Sequence, residues 1–147
     1  MRTCPFFSDM NEEEVAEFLR FCAVRRLRPL HVIFSKGEAA KEFYVVVGGS
    51  VVIEPGDEET REVRVRPGET FGEMALLEST SRSGNAWTET DTTLLVVPQA
   101  FFEAGTMGLR EKVLKILAKQ LSRNLRRTDF LVEIFQGANR LASQKKS

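Results

Sequence analysis

Hydrophobic positions along the chain change period twice. Residues 8–24 open on Ser8 and Asp9, pass through Glu12, Glu13 and Glu14, and carry Val15, Phe18, Leu19 and Val24 at close to helical spacing. Capping residues, early acids and that spacing predict an N-terminal helix over 8–24. Further on, the pattern becomes short β-branched runs at 32–34, 44–47, 51–53, 63–65 and 94–97, broken by Gly, Pro and Asp. Such runs predict antiparallel strands, and many short ones in succession suit a β-roll or jelly-roll over 30–98 rather than an open sheet. Glu54-Pro55-Gly56-Asp57 reads as a hairpin tip. Pro98 ends the strands, Phe101, Phe102 and the stretch from Gly105 to Gly108 form a link, and no Gly or Pro occurs from Arg110 to Phe135. A long C-terminal helix over 109–136 follows, with a tail over 137–147. The fold class is therefore mainly β with flanking helices.

Within the long helix, Leu114, Leu117, Leu121, Asn124, Thr128, Leu131 and Phe135 alternate steps of three and four, the seam of a coiled coil. Val113, Ile116, Leu125 and Val132 make a second apolar set. The helix either packs on its own domain or pairs with a second copy in a parallel homodimer. Asn124 and Thr128 interrupt the seam, and polar residues there destabilise it unless they set register or meet a polar group such as a bound base.

At 147 residues the chain fits one domain, 1–147. Its 21 basic and 21 acidic residues balance, so net charge selects neither nucleic acid nor membrane, and an anionic ligand needs a local site. Cys4 and Cys22 have no metal-like spacing and read as reduced thiols. The apolar runs are short and the N-terminus has no export pattern, which predicts a cytoplasmic protein without a membrane partner. His31 is the sole histidine, too few for a metal centre of imidazole ligands and without a nucleophile elbow for hydrolysis. Gly68-Glu69-Thr70 lacks the lysine of a P-loop. No enzyme and no metal are expected.

The candidate chemistry lies in Phe71-Gly72-Glu73-Met74-Ala75-Leu76-Leu77, followed by Arg82-Ser83. Gly72 lets the backbone approach a ligand closely, and Glu73 to Leu77 suit one helical turn whose first amides are unpaired. Those amides attract an anion, and Arg82 adds a planar fork of donors for phosphate oxygens. Glu73 would repel a phosphate, so its better use is to accept from a hydroxyl of the same ligand. Anion plus hydroxyl suggests a nucleotide. In the alternative reading Arg82 forms a surface salt bridge, for example with Glu73, Phe71 is core, Ser83 is a small strand residue and Trp87 a strand residue.

The stretch FGEMALLESTSRSGNA resembles the phosphate-binding cassette of the cyclic nucleotide-binding domains. Phe34-Ser35-Lys36-Gly37-Glu38, the run from Phe43 to Val51, and Pro67-Gly68-Glu69 resemble that family's turns and strands, so the likeness spans roughly residues 5–135. It implies that Glu73 takes the ribose 2′-hydroxyl, Arg82 the cyclic phosphate, and the amides from Gly72 to Ala75 complete the cradle. In the bacterial branch resembling catabolite activator protein, a Ser follows the cassette arginine and a Thr-Ser pair on the dimer helix reaches the adenine. Ser83 and Thr128 match that pattern and Asp129 departs from it. Leu30 stands where the family usually has glycine, and Gly84-Asn85-Ala86 replaces a β-branched run. The expected ligand site is Phe71, Gly72, Glu73, Met74, Ala75, Arg82, Ser83, Asn124 and Thr128, with cAMP favoured over cGMP. The expected function is a sensor that couples ligand binding to movement of its C-terminal helix. The alternative is a ligand-free β-roll serving protein interaction or dimerisation. About a dozen residues follow Phe135, too few for a helix-turn-helix, so direct DNA binding is not expected and regulation would pass through an effector protein.

Overall fold

A computed structural model describes residues 4–56 and 61–121 of the chain. It forms two compact units, 1–113 and 114–147, the first holding the strands found among the described residues. Two antiparallel sheets of four strands each make the mainly β architecture that the sequence predicts. One sheet has the order β1-β8-β3-β6, from Ala23–Leu27, Thr92–Pro98, Glu42–Gly48 and Thr70–Phe71; the other has β2-β7-β4-β5, from Val32–Phe34, Gly84–Thr88, Val51–Pro55 and Val63–Val65.

The first helix is shorter than predicted. After a 3-10 turn at Pro5–Phe7, α1 runs Glu12–Phe21. Asn11 starts it with a capping box, accepting from the Glu14 amide at 2.8 Å while Glu14 accepts from the Asn11 amide at 3.0 Å. Cys22 is extended, and Val24, which continues the helical spacing in the sequence, lies instead in β1, where Ala23 to Leu27 pair with Val96 to Thr92. The ladder overrides local spacing. Strand β7 joins β2 to β4, and its poor strand formers Gly84 and Asn85 are held by β4, opposite Pro55 and Glu54.

Phe34, Tyr44, Val51, Phe71 and Leu94 belong to one buried core cluster, and the next residues on β3, Phe43 and Val45, are buried as well. Strand β3 thus buries both faces, which explains its unbroken run from Phe43 to Val47. On its second face Phe43 meets Phe102 at 5.8 Å between ring centres, and Phe18 meets Phe101 at 5.1 Å. These rings bring α1 and α3, Ala100–Ala104, onto the sheet; each such pair adds about 0.5–1.5 kcal/mol beyond area burial. Glu17 accepts from the Thr106 amide and hydroxyl, and Lys112 pairs with Glu14 at 2.9 Å.

Helix α4 begins at 107 and is described to 121. Leu109, Val113 and Leu117 are buried on it at intervals of four, while Leu114, placed by the sequence in the same seam as Leu117, is 40% exposed. The seam from Asn124 to Phe135, the helix end near 136 and the 137–147 tail lie outside the described residues.

Candidate functional site

The cassette sits where β6 ends. Tyr44 and Phe71 are register partners across β3 and β6, and their rings stack at 4.8 Å. Phe71 is therefore core. Gly72 follows with φ 80 and ψ 2 and caps α2, Glu73–Leu77. No side chain caps this helix start.

Arg82 turns inward. It is 4% exposed, and its guanidinium lies 4.2 Å from the Phe34 ring centre and 5.8 Å from that of Tyr44. Its Nη1 donates to the Gly72 carbonyl at 2.6 Å and its Nη2 to the Glu42 carbonyl at 2.6 Å. Two aromatic faces and two neutral carbonyls hold the cation. Among the described residues no carboxylate forms an ion pair with it. The sequence alternative of a surface salt bridge between Arg82 and Glu73 is thus not what the fold makes. Burial draws the Arg82 pKa down, and the neighbouring Tyr44 and Glu42 oppose that; a guanidinium stays charged at neutral pH regardless.

Glu73 opens α2 and is partly buried. Burial pushes its carboxyl pKa above the ordinary 4.5, outweighing its own backbone amide and the Arg82 charge, which both pull it down. Met74 is 40% exposed, and the Ala75 carbonyl accepts from Thr80, closing the turn that returns the chain to Arg82. Ser83 is exposed where Arg82 is buried. Asn124 and Thr128 lie outside the described residues.

The fold therefore joins Phe71, Gly72, Glu73 and Arg82 in one place. It adds residues that the sequence reading missed: Phe34, Tyr44 and Glu42, which position the guanidinium. Tyr44 in turn donates to Glu42 Oε1 at 2.7 Å, and burial raises the phenol's pKa. No alternation singles out Tyr44 within the unbroken run from Phe43 to Val47, and only the fold brings it and Phe34 to Arg82. Among the described residues no group of three or more His, Cys, Asp or Glu side chains could hold a metal, and no helix is long and apolar enough to cross a membrane.

Comparison with known proteins agrees with this geometry. The chain is 32% identical over 152 residues to the cyclic AMP receptor protein of Thermus thermophilus, covering 97% of this chain and 68% of that one. It is 30% identical over 125 residues to a protein of Rhodopseudomonas palustris named as a potassium channel, covering 82% of this chain and 30% of that protein. Among solved structures, the Thermus thermophilus catabolite activator protein superposes with a TM-score of 0.76 at 30% identity, over 90% of this chain and 63% of that one. The c-di-GMP responsive regulator CLP of Xanthomonas campestris gives 0.71 at 27% identity, over 84% and 63%. The chain spans less than two thirds of the channel protein and of both solved chains. Residues 24–106 match the cyclic nucleotide-binding domain, and the chain belongs to that family.

Proposed function

We propose that this protein is a non-catalytic regulatory module that binds a cyclic nucleotide, with cAMP preferred to cGMP, and passes occupancy on through its C-terminal helix. The observation that carries this reading is Arg82: a buried cation that forms no ion pair with a carboxylate among the described residues, beside the uncapped start of α2. Burying a charge without a direct ion-pair partner is costly, and an incoming phosphate would supply such a partner. Glu73 stands next to it to accept a ribose hydroxyl, an exchange of hydration for a hydrogen bond that a partly buried carboxylate favours. The name of the Thermus relative supports cyclic AMP, and Thr128 is the residue proposed to meet the adenine.

Signalling requires that the ligand bind two helix positions with different affinity. Helix α4 would move over the bound base, its seam pairing with a second copy, and an effector protein would read the change. Calorimetric titration with cAMP and cGMP, with light scattering for mass in each state, tests this. Saturable binding of one nucleotide per chain is expected, and Arg82→Ala should weaken it about a hundredfold or more through loss of charge-assisted bonds. Unchanged affinity in that variant would sink the proposal. Absence of any heat or thermal shift with either nucleotide would favour the ligand-free interaction domain.

A further inference from the structure

Glu42 offers Arg82 two kinds of acceptor and gives it one. Its carbonyl accepts from Nη2 at 2.6 Å, while its carboxylate accepts from the Tyr44 hydroxyl at 2.7 Å and forms no ion pair with Arg82 among the described residues. We propose that Tyr44 is a positioning residue whose hydroxyl keeps the Glu42 carboxylate off the guanidinium, and so keeps Arg82 available to the phosphate. This rests on the cyclic nucleotide reading of Arg82 given above.

The carboxylate is near enough to compete. Glu42 and Tyr44 are two apart on β3, so both side chains leave the same face of the strand, the face that carries the guanidinium. Glu38, Lys41, Glu42, Tyr44 and Arg82 border one cavity of about 350 Å³, which gives the Glu42 side chain room to turn. Burial lowers the Arg82 pKa, and Tyr44, Glu42 and Glu38 oppose that, so both carboxylates lie within electrostatic reach. An arginine fork commonly holds a carboxylate through two parallel bonds. Of its five donors the Gly72 and Glu42 carbonyls already take two, so such a pair would leave one for a phosphate and cancel the charge that attracts it.

Tyr44 is fixed where Glu42 is not. Its ring is 2% exposed, stacks on Phe71 at 4.8 Å and lies 6.1 Å from that of Phe34. Strand β3 pairs on both sides at this residue, with Phe71 and with Val96. The hydroxyl therefore has a set position. Burial and the Glu42 hydrogen bond raise the phenol's pKa, so it keeps the proton it donates. Glu42 itself is only half-buried, and Tyr44 is what ties its carboxylate down.

Calorimetric titration of the full chain with cAMP, in wild type, Tyr44→Phe, Glu42→Gln and the double variant, tests this beside a crystal structure of ligand-free Tyr44→Phe. Phenylalanine keeps the ring on Phe71, and thermal midpoints check the fold. Tyr44→Phe should weaken cAMP about fivefold, the scale of a solvent-accessible ion pair competing for the arginine, and the double variant should bind within about twofold of Glu42→Gln. In the ligand-free Tyr44→Phe structure a Glu42 carboxylate oxygen should lie within about 4 Å of the guanidinium. Unchanged affinity in Tyr44→Phe, or an equal loss whether or not Glu42→Gln is present, would overturn the proposal. So would a Glu42 carboxylate that turns to Lys41 or to solvent in that structure. If wild type binds no cAMP, the sensor reading fails, while the crystal structure still decides the restraint on Glu42.

Discussion

Arg82 Nη1 donates to the carbonyl of Gly72 at 2.6 Å, and a Cβ on Gly72 would stand 2.7 Å from that same nitrogen. The guanidinium therefore rests on the cassette's first residue, and the absence of a side chain there is what lets it do so. The left-handed φ of 80 at Gly72 adds a second reason for glycine. Gly72→Ala should destabilise the fold by about 1–3 kcal/mol and displace the arginine. Urea denaturation would read the first effect, and a matching loss of nucleotide affinity in titration the second. A variant that keeps both stability and affinity would contradict this account.

Replacing Arg82 by lysine keeps the charge but not the fork. A single ammonium lacks the planar face that rests on Phe34 and the spread of donors that spans the Gly72 and Glu42 carbonyls. Arg82→Lys should behave much more like Arg82→Ala than like wild type in nucleotide titration. Recovery of most of the affinity by lysine would show that charge alone suffices.

Glu73 makes stability depend on pH. Because burial raises its folded-state pKa above 4.5, the folded chain holds this proton more tightly than the unfolded chain. Stability from this group is full below 4.5 and is lost as pH rises through the folded value. Glu73→Gln removes the cost of the buried charge, so it should be more stable than wild type at pH 7 and indistinguishable near pH 4. Paired denaturation curves at the two pH values measure the gap; equal stability at pH 7 would contradict the burial argument.

Leu30 has φ 63 and is 74% exposed. A leucine in the left-handed region is strained by about 1–2 kcal/mol, and an exposed side chain returns little packing to offset it. Leu30→Gly should stabilise the protein by up to about 1 kcal/mol, the remainder being absorbed by the greater backbone entropy of glycine in the unfolded chain. Thermal unfolding checks the sign, and a lower midpoint would mean that Leu30 makes a contact that outweighs its strain.

Cys22 is partly buried, its thiol directed at the Phe18 carbonyl at 3.2 Å, and burial pushes its pKa up to about 12. It should resist alkylation at pH 8 in the folded protein and react once the chain is unfolded. Mass spectrometry after brief iodoacetamide treatment, with and without denaturant, would show this.

Much of this protein was legible in one dimension. Turn glycines and prolines bounded the β-branched runs, so β2 and β5 lie where those runs put them, and β3, β4 and β8 extend the predicted runs by only one or two residues at an end. Gly72, Glu73 and Arg82 were legible because a close backbone approach, a helix start and a fork of donors need those residue types in that order. Strand β1 was not: Val24 fits a helix by spacing, and only its pairing with Leu95 makes it a strand. The bed beneath Arg82 was hidden too. Phe34, Glu42 and Tyr44 lie far before it in the chain, and hydrogen bonding between strands, which no local pattern encodes, brings them together. The sequence determined which groups were present and which backbone turns were possible; the tertiary structure decided that the arginine is buried between rings and carbonyls, with no ion-paired carboxylate among the described residues, because desolvation and ion pairing depend on neighbours that only packing assembles.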